Sequence, residues 1–232
     1  MNDPLAALKT IHAKRGYLLP HHGLMAISTP HLLERYDALY SSLTLEDRYL
    51  SRHDHEFIWL AILISCKESL GTHHVRRFLD AGGTNKELDL IMALSAFVMG
   101  IDSYLFAEDH WLGHLPGGDM RQSYLEQFNS MIEVGDTALA HMAACAIHIC
   151  LGKWRGLRWQ LVAGYEAQID ELQLAEAISL VMFPGSVPHY VRAAAVWQQL
   201  ILENRIPASA LFQQWASLSG QGGYNEASGV SR

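Results

Sequence analysis

Cysteine is scarce in this chain: Cys66, Cys145 and Cys150 are the only three in 232 residues. They form no Cys-x-x-Cys pair and no zinc-finger spacing, which excludes a disulfide framework or a structural zinc domain. An odd number of thiols, two of them inside apolar helical runs, suits reduced and packed cysteines in a cytoplasm. Period-two alternation bounded by turn signals is missing too, so strands are not expected. Positive charge is in deficit, with 17 Lys and Arg against 24 Asp and Glu and a formal net charge of −7. That balance argues against nucleic acid or an anionic membrane as the main partner. Local basic groups, Arg76 with Arg77 and the stretch from Lys153 to Arg158, suit a small anion better than a polyanion. The longest apolar run, Phe57 to Cys66, is about half of what a bilayer needs. The opening MNDPLAALKTIHAKRG has no basic region followed by an apolar one, so no secretory signal is expected.

What is present is helical. Half the residues are apolar and 18 % are charged, enough for a substantial core. Leu5, Leu8 and Ile11 are spaced for a first helix stopped by Gly16, and Tyr17 to Thr29 reads as a linker across the surface. Thr29 then caps a helix opened by Pro30, with Leu32, Leu33, Tyr36, Leu39 and Tyr40 as its buried stripe. His55 to Leu70 is apolar on nearly all sides and therefore central. Gly71 and Thr72 break it, His73 to Ala81 forms a basic helix ended by Gly82 and Gly83, and Thr84 with Glu87 caps a third helix. Ser51 and Asp54 make a second capping box.

A strong break at HWLGHLPGGD (His110 to Asp119) divides the chain. After a helix from Met120 to Ile132 and a joint at Gly135 and Asp136, the layout recurs: an apolar helix (Ala138 to Leu151), a Gly-Lys break, the basic WRGLRWQLVAG, and a third helix from Ile169 to Phe183. RRFLDAG (Arg76 to Gly82) and RWQLVAG (Arg158 to Gly164) are the best local match. The pattern predicts an all-α protein of two tandem repeats, the second degenerate. Its parts are an N-terminal helix and linker (1–22), a first repeat (23–116), a second repeat (117–218) and a disordered tail (219–232).

The stretches HEFIWLAILIS and HHVRRFLDAGGTNKELDLIMAL resemble the carboxymuconolactone decarboxylase-like, or alkylhydroperoxidase D-like, superfamily. That family's pattern is a Glu opening an apolar helix, a polar elbow, a His, then A-G-x-[ST]-x-x-E-[IL]. Glu56, His74, Ala81, Gly82, Thr84, Glu87 and Leu88 fill those places, and PHLLERYDALYSSL is similar to the family's lead-in helix. The resemblance implies a helical repeat that assembles through its helices, here a trimer of two-repeat chains, with a site that needs no cofactor. It also implies His74 and Glu56 as an acid/base pair, with Glu68 in the elbow as a further carboxylate. The peroxidase branch works with a Cys-x-x-Cys dithiol. In SCKESLGTHH, Cys66 stands alone and Leu70 falls about where the second Cys belongs, so a dithiol cycle lacks its resolving thiol. The second repeat carries Gly156 where His74 sits and Ala138 near Glu56, and is expected to be chemically silent.

Three functions stay open on these residues. The first is an enzyme of the decarboxylase-like branch acting on a small anionic lactone or keto acid by proton transfer, with Arg76, Arg77 and His73 lining the substrate site. The second is a peroxidase-related oxidoreductase using Cys66 alone. The third is a non-enzymatic oligomeric binding module. A metal site among His53, His55, Glu56, His73, His74 and His110 has no fixed ligand spacing behind it and is not expected. The acid/base reading makes one geometric demand. In one straight helix Glu56 and His74 would lie about 27 Å apart at 1.5 Å per residue, so the break at Ser69 to Thr72 must fold the second helix back, or a neighbouring subunit must supply one partner.

Overall fold

A computed structural model describes residues 3–115, 118–132 and 137–223. The joint at Gly135 and Asp136, and the expected tail from 224 onward, lie outside the described residues. The described residues are all-helical, with no strand among them. They divide into two compact units, Met1–Asp47 and Arg48–Arg232.

The smaller unit holds α1 (Pro4–Arg15), α2 (Pro20–Ser28) and α3 (Pro30–Thr44). Asp3 caps α1 by accepting from the Leu5 amide at 3.0 Å, and Gly16 ends it at φ 81°. The expected surface linker is instead α2, opened by Pro20 at its first turn. Thr29 stands at the cap position of α3 but makes no side-chain cap bond. The expected leucine stripe is also corrected: Leu33 and Tyr40 are buried, while Leu32 and Leu39 are 56 % and 47 % exposed. A three-helix unit this small is held partly by polar contacts. Buried Arg15 donates to Asp37 Oδ1 at 2.6 Å and lies 3.9 Å over the Tyr40 ring.

The larger unit is built on α4 (Arg52–Cys66) and α9 (Thr137–Cys150), whose residues are buried almost throughout and which pack against each other more extensively than any other helix pair. Helices apolar on every side have only the interior to go to. Ser51 caps α4 by accepting from the Asp54 amide. Just before it, the buried Glu176 carboxylate accepts from the Tyr49 and Leu50 amides at 2.6 and 3.0 Å, with Arg48 at 3.4 Å. The chain leaves α4 through Lys67 at φ 56° and a 3-10 turn, Ser69–Gly71, capped by Glu68. A Cβ at Gly71 would fall 2.6 Å from Leu63 Cδ1, so the absent side chain lets this turn press against α4 without displacing Leu63.

The return helix is α5 (His73–Asp80), ended by Gly82 at φ 93°. Thr84 and Glu87 form the expected capping box on α6 (Asn85–Met99). Then come α7 (Asp102–His110) and α8 (Met120–Met131). Beyond α9 lie α10 (Trp154–Glu166), α11 (Glu171–Ser179), α12 (Val187–Leu202) and α13 (Ala210–Ala216). The expected helix from Ile169 to Phe183 is α11 followed by a 3-10 turn over Leu180–Met182. By length and composition alone one stretch among the described residues, Asn85–His110, is apolar enough to cross a membrane. It divides into α6 and α7 around Gly100, and its Ile91, Leu94 and Val98 are buried in the core of the unit.

Candidate active site

Glu56 occupies the first turns of α4 and His74 the start of α5. The glycine turn brings them together within one chain: His74 Nδ1 donates to Glu56 Oε2 at 2.6 Å. Glu56 is fully buried and His74 is 2 % exposed. A carboxylate accepts only, so the proton of the bond sits on Nδ1 and the Nε2 lone pair remains for chemistry. The Trp59 ring, one turn after Glu56, stacks on His74 at 4.6 Å and 20°, and the His73 ring lies 4.3 Å away on its other neighbour side of α5. His55 Nδ1 stands 3.8 Å from Glu56 Oε1, close for a charge but long for a hydrogen bond.

A buried carboxyl left to itself carries a raised pKa. Burial does push Glu56 up, but the His55 and His74 imidazoles outweigh it and hold the carboxyl down at about 2. Burial lowers His74, and the Glu56 carboxylate only partly restores it. His73 is brought down to about 4 by burial and by its neighbours His74 and Arg77. At neutral pH the pair is therefore a carboxylate and a neutral imidazole. Such a dyad presents an oriented base, whose conjugate acid the carboxylate stabilises once a proton arrives.

Trp59 Nε1 and Arg77 Nη1, on the residue that stacks on His74 and on the arginine whose charge acts on it, are buried without a hydrogen-bond partner. Buried polar atoms are nearly always satisfied, so these exceptions can take up water or a polar ligand. A cavity of about 520 Å³ at the C-terminal half of α4 and the turn after it is walled by Leu60, Leu63, Thr72, Val75 and Ile91 among others, and neither dyad residue is among those that line it.

The other expected site residues separate. Arg77 acts on the charge of His73 and His74 and keeps its buried, unpartnered Nη1. Arg76 instead pairs with Asp80 on the exposed face of α5 at 2.8 Å, which removes it from the site. Glu68 caps the 3-10 turn by accepting from the Leu70 amide at 2.7 Å and lines the cavity mouth, away from the dyad. Cys66 lies at the far end of α4, more than two turns from Glu56. His53 bonds to Asp54 and Glu87, each at 2.9 Å. Burial lowers its pKa, but these two carboxylates more than compensate and raise it. His110 packs on Phe106. Among the described residues no group of three His, Cys, Asp or Glu is arranged to hold a metal ion.

A second polar cluster escaped the sequence reading. Between α8, α9 and α10, the Tyr124 hydroxyl lies 3.1 Å from His148 Nε2 and 3.3 Å from Gln160 Oε1, and Gln160 Nε2 contacts His141 Nδ1. All four side chains are buried. Burial lowers His141 to about 4 and His148 to about 3. A Cβ at Gly156 would meet His148 Cε1 at 2.7 Å, so the His148 ring lies against the α10 position that lacks a side chain. His141 also borders a cavity of about 400 Å³ with Thr137, Asn129 and Glu166. The signal in the sequence was two histidines seven residues apart, on one helix face, in the apolar run HMAACAIH. No family model, no curated protein and no solved structure matches this chain.

Proposed function

We propose that the chain is an enzyme that moves a proton on a small anionic substrate, such as a lactone acid or keto acid. Its base is His74, oriented by Glu56. This is the activity that the resemblance to the carboxymuconolactone decarboxylase-like superfamily implies, and one observation supports it: a buried 2.6 Å carboxylate–imidazole bond, with unpartnered polar atoms on Trp59 and Arg77. In this reading His74 Nε2 takes a proton from carbon next to a carbonyl, or returns one to the carbanion left when carbon dioxide departs. Glu56 stabilises the transient imidazolium, and Arg77 holds the substrate carboxylate through its free Nη1. Trp59 keeps the ring planar to its own and excludes water from one face. The duplication of α4–α6 as α9–α11, and assembly of three such chains, belong to the same proposal.

The test is hydrogen–deuterium exchange at the carbon acid of a panel of lactone acids, keto acids and dicarboxylates, followed by proton NMR in deuterium oxide. Exchange is expected with the wild type, lost in His74→Ala and kept in Cys66→Ser. Arg77→Gln should raise KM more than it lowers kcat. The burial of both dyad members favours a second reading, in which the bond is a structural brace of a non-enzymatic helical module. No exchange across the panel, together with a large loss of stability in His74→Ala, establishes that brace instead.

A further inference from the structure

The basic stretch from Lys153 to Arg158, suited by its sequence to a small anion, takes no part in the Glu56–His74 dyad. Lys153 is spent on Asp102, at 2.7 and 2.8 Å. Its two arginines have another surrounding. Arg155 and Arg158 are neighbours on the surface of α10, and they meet Arg121 from α8 and Arg205 from just after α12 around one cavity of about 170 Å³. Trp159, Val162 and Leu200 supply the rest of the wall, and no carboxylate is among the described residues that line it. Four guanidiniums gathered around one space are unexpected in a chain of net charge −7, because like charges repel. The carboxylates that pair with three of them do not line the cavity. Asp109 accepts from Arg155 Nη1 and Nη2 at 2.6 and 2.8 Å, with Glu108 at 3.1 Å. Glu203 accepts from Arg158 Nη2 at 2.6 Å, and Glu166 lies 3.4 Å from Arg121 Nη2. Arg205 has no ion pair among the described residues. Glu203, held below the usual carboxylate range by its bond to Arg158, feels Arg205 only through space.

We propose that this cavity binds a phosphate group, as the free ion or as a small phosphomonoester. A phosphate presents acceptor oxygens in several directions, so guanidiniums arriving from α8, from α10 and from the end of α12 can all bond to it. A planar carboxylate is matched by a single fork. The acids already present orient Arg155 and Arg158 without exhausting their donors, since a guanidinium carries more N–H groups than one carboxylate can take. Arg205 and most of Arg121 remain for the ligand. The size of the cavity agrees. It is smaller than the roughly 300–1,000 Å³ of sites for drug-sized ligands, yet it has room for one phosphate group, and the apolar wall of Trp159, Val162 and Leu200 is left for the first carbons of an ester. A nucleic-acid backbone suits a chain of this net charge poorly. The site shares no residue with the Glu56–His74 dyad, and neither reading depends on the other.

The experiment is isothermal titration calorimetry of the full chain at low ionic strength with inorganic phosphate, glycerol 3-phosphate and succinate. Saturable binding of a phosphate at one site per chain is expected, and it should weaken as sodium chloride is added. Arg205→Gln should weaken it about tenfold or more, the worth of a hydrogen bond to a charged group. Arg76→Gln, which removes an exposed guanidinium elsewhere in the same unit, should bind as the wild type does. Circular dichroism checks that each variant is folded, and Arg121→Gln takes the place of Arg205→Gln if that chain is not. Tighter binding of glycerol 3-phosphate than of inorganic phosphate assigns the apolar wall to the ester's carbons, and the reverse names the free ion as the occupant. No saturable binding of either phosphate, tighter binding of succinate than of both, unchanged affinity in the folded arginine variant, or an equal loss in Arg76→Gln overturns the proposal.

Discussion

Replacing Glu56 by Gln keeps the shape of the side chain and an acceptor for His74 Nδ1 while removing the charge. Two effects oppose each other. A buried carboxylate is costly to desolvate, and exchanging a buried charge for a neutral group is often neutral or stabilising. Against this, the carboxyl is held at about 2 from an ordinary 4.5, so the fold favours the charged form over water by about 3 kcal/mol at 1.36 kcal/mol per pKa unit. The depressed value decides the sign. Glu56 contributes stability that is complete above its unfolded pKa and disappears as pH falls from about 4.5 toward 2. At pH 7, Glu56→Gln should destabilise the larger unit by about 2–3 kcal/mol, since a neutral bond retains part of the effect. That is a Tm fall of about 4–12 °C at 2–4 °C per kcal/mol for a unit of this size. The assay is urea unfolding followed by tryptophan fluorescence. All six tryptophans lie between residues 48 and 232, so the signal reports the larger unit alone. The difference between variant and wild type should shrink as pH is lowered from 5 toward 3. Equal or greater stability of Glu56→Gln at pH 7, or a deficit that does not change with pH, refutes the reasoning.

Glu176→Ala should cost about 3–4 kcal/mol in the same assay, because it leaves the Tyr49 and Leu50 amides without their acceptor and Arg48 without its charge. It should also loosen the entry to α4, read as faster amide hydrogen exchange over residues 49–55. Gly156→Ala should cost about 1–3 kcal/mol, since the new methyl meets His148 and Ile101 at 2.7 Å and both are fully buried; a neutral result shows that the α9–α10 interface yields more easily than its packing implies. Acid should destabilise the larger unit well above the carboxylate range. His73, His74, His141 and His148 all have lowered pKa values in the fold, so the unfolded chain binds more protons and stability is lost as pH falls below about 6.5. His53, raised by Asp54 and Glu87, works the other way as a single group. The expected slope is roughly 2–4 kcal/mol per pH unit between pH 6 and 5, and a flat profile over that range contradicts the burial argument.

Local chemistry was legible in the sequence wherever cause and effect lie within a few residues. The Thr84–Glu87 box, the Gly82 stop and the buried run of α4 are set by side chains that act on their own turn, so their pattern is read directly. Pairing between Glu56 and His74 was legible only as a demand, because it depends on the direction in which the chain leaves Gly71. That direction rests on the close approach of the turn to Leu63, which no spacing rule encodes. The departures follow the same division. Leu32 and Leu39 obey the helical period yet stay about half exposed, while the arginine Arg15 is buried in the same small unit. Arg76 and Arg77 are adjacent in sequence, but a helix turns 100° between them, which sends one to Asp80 and leaves the other beside His74.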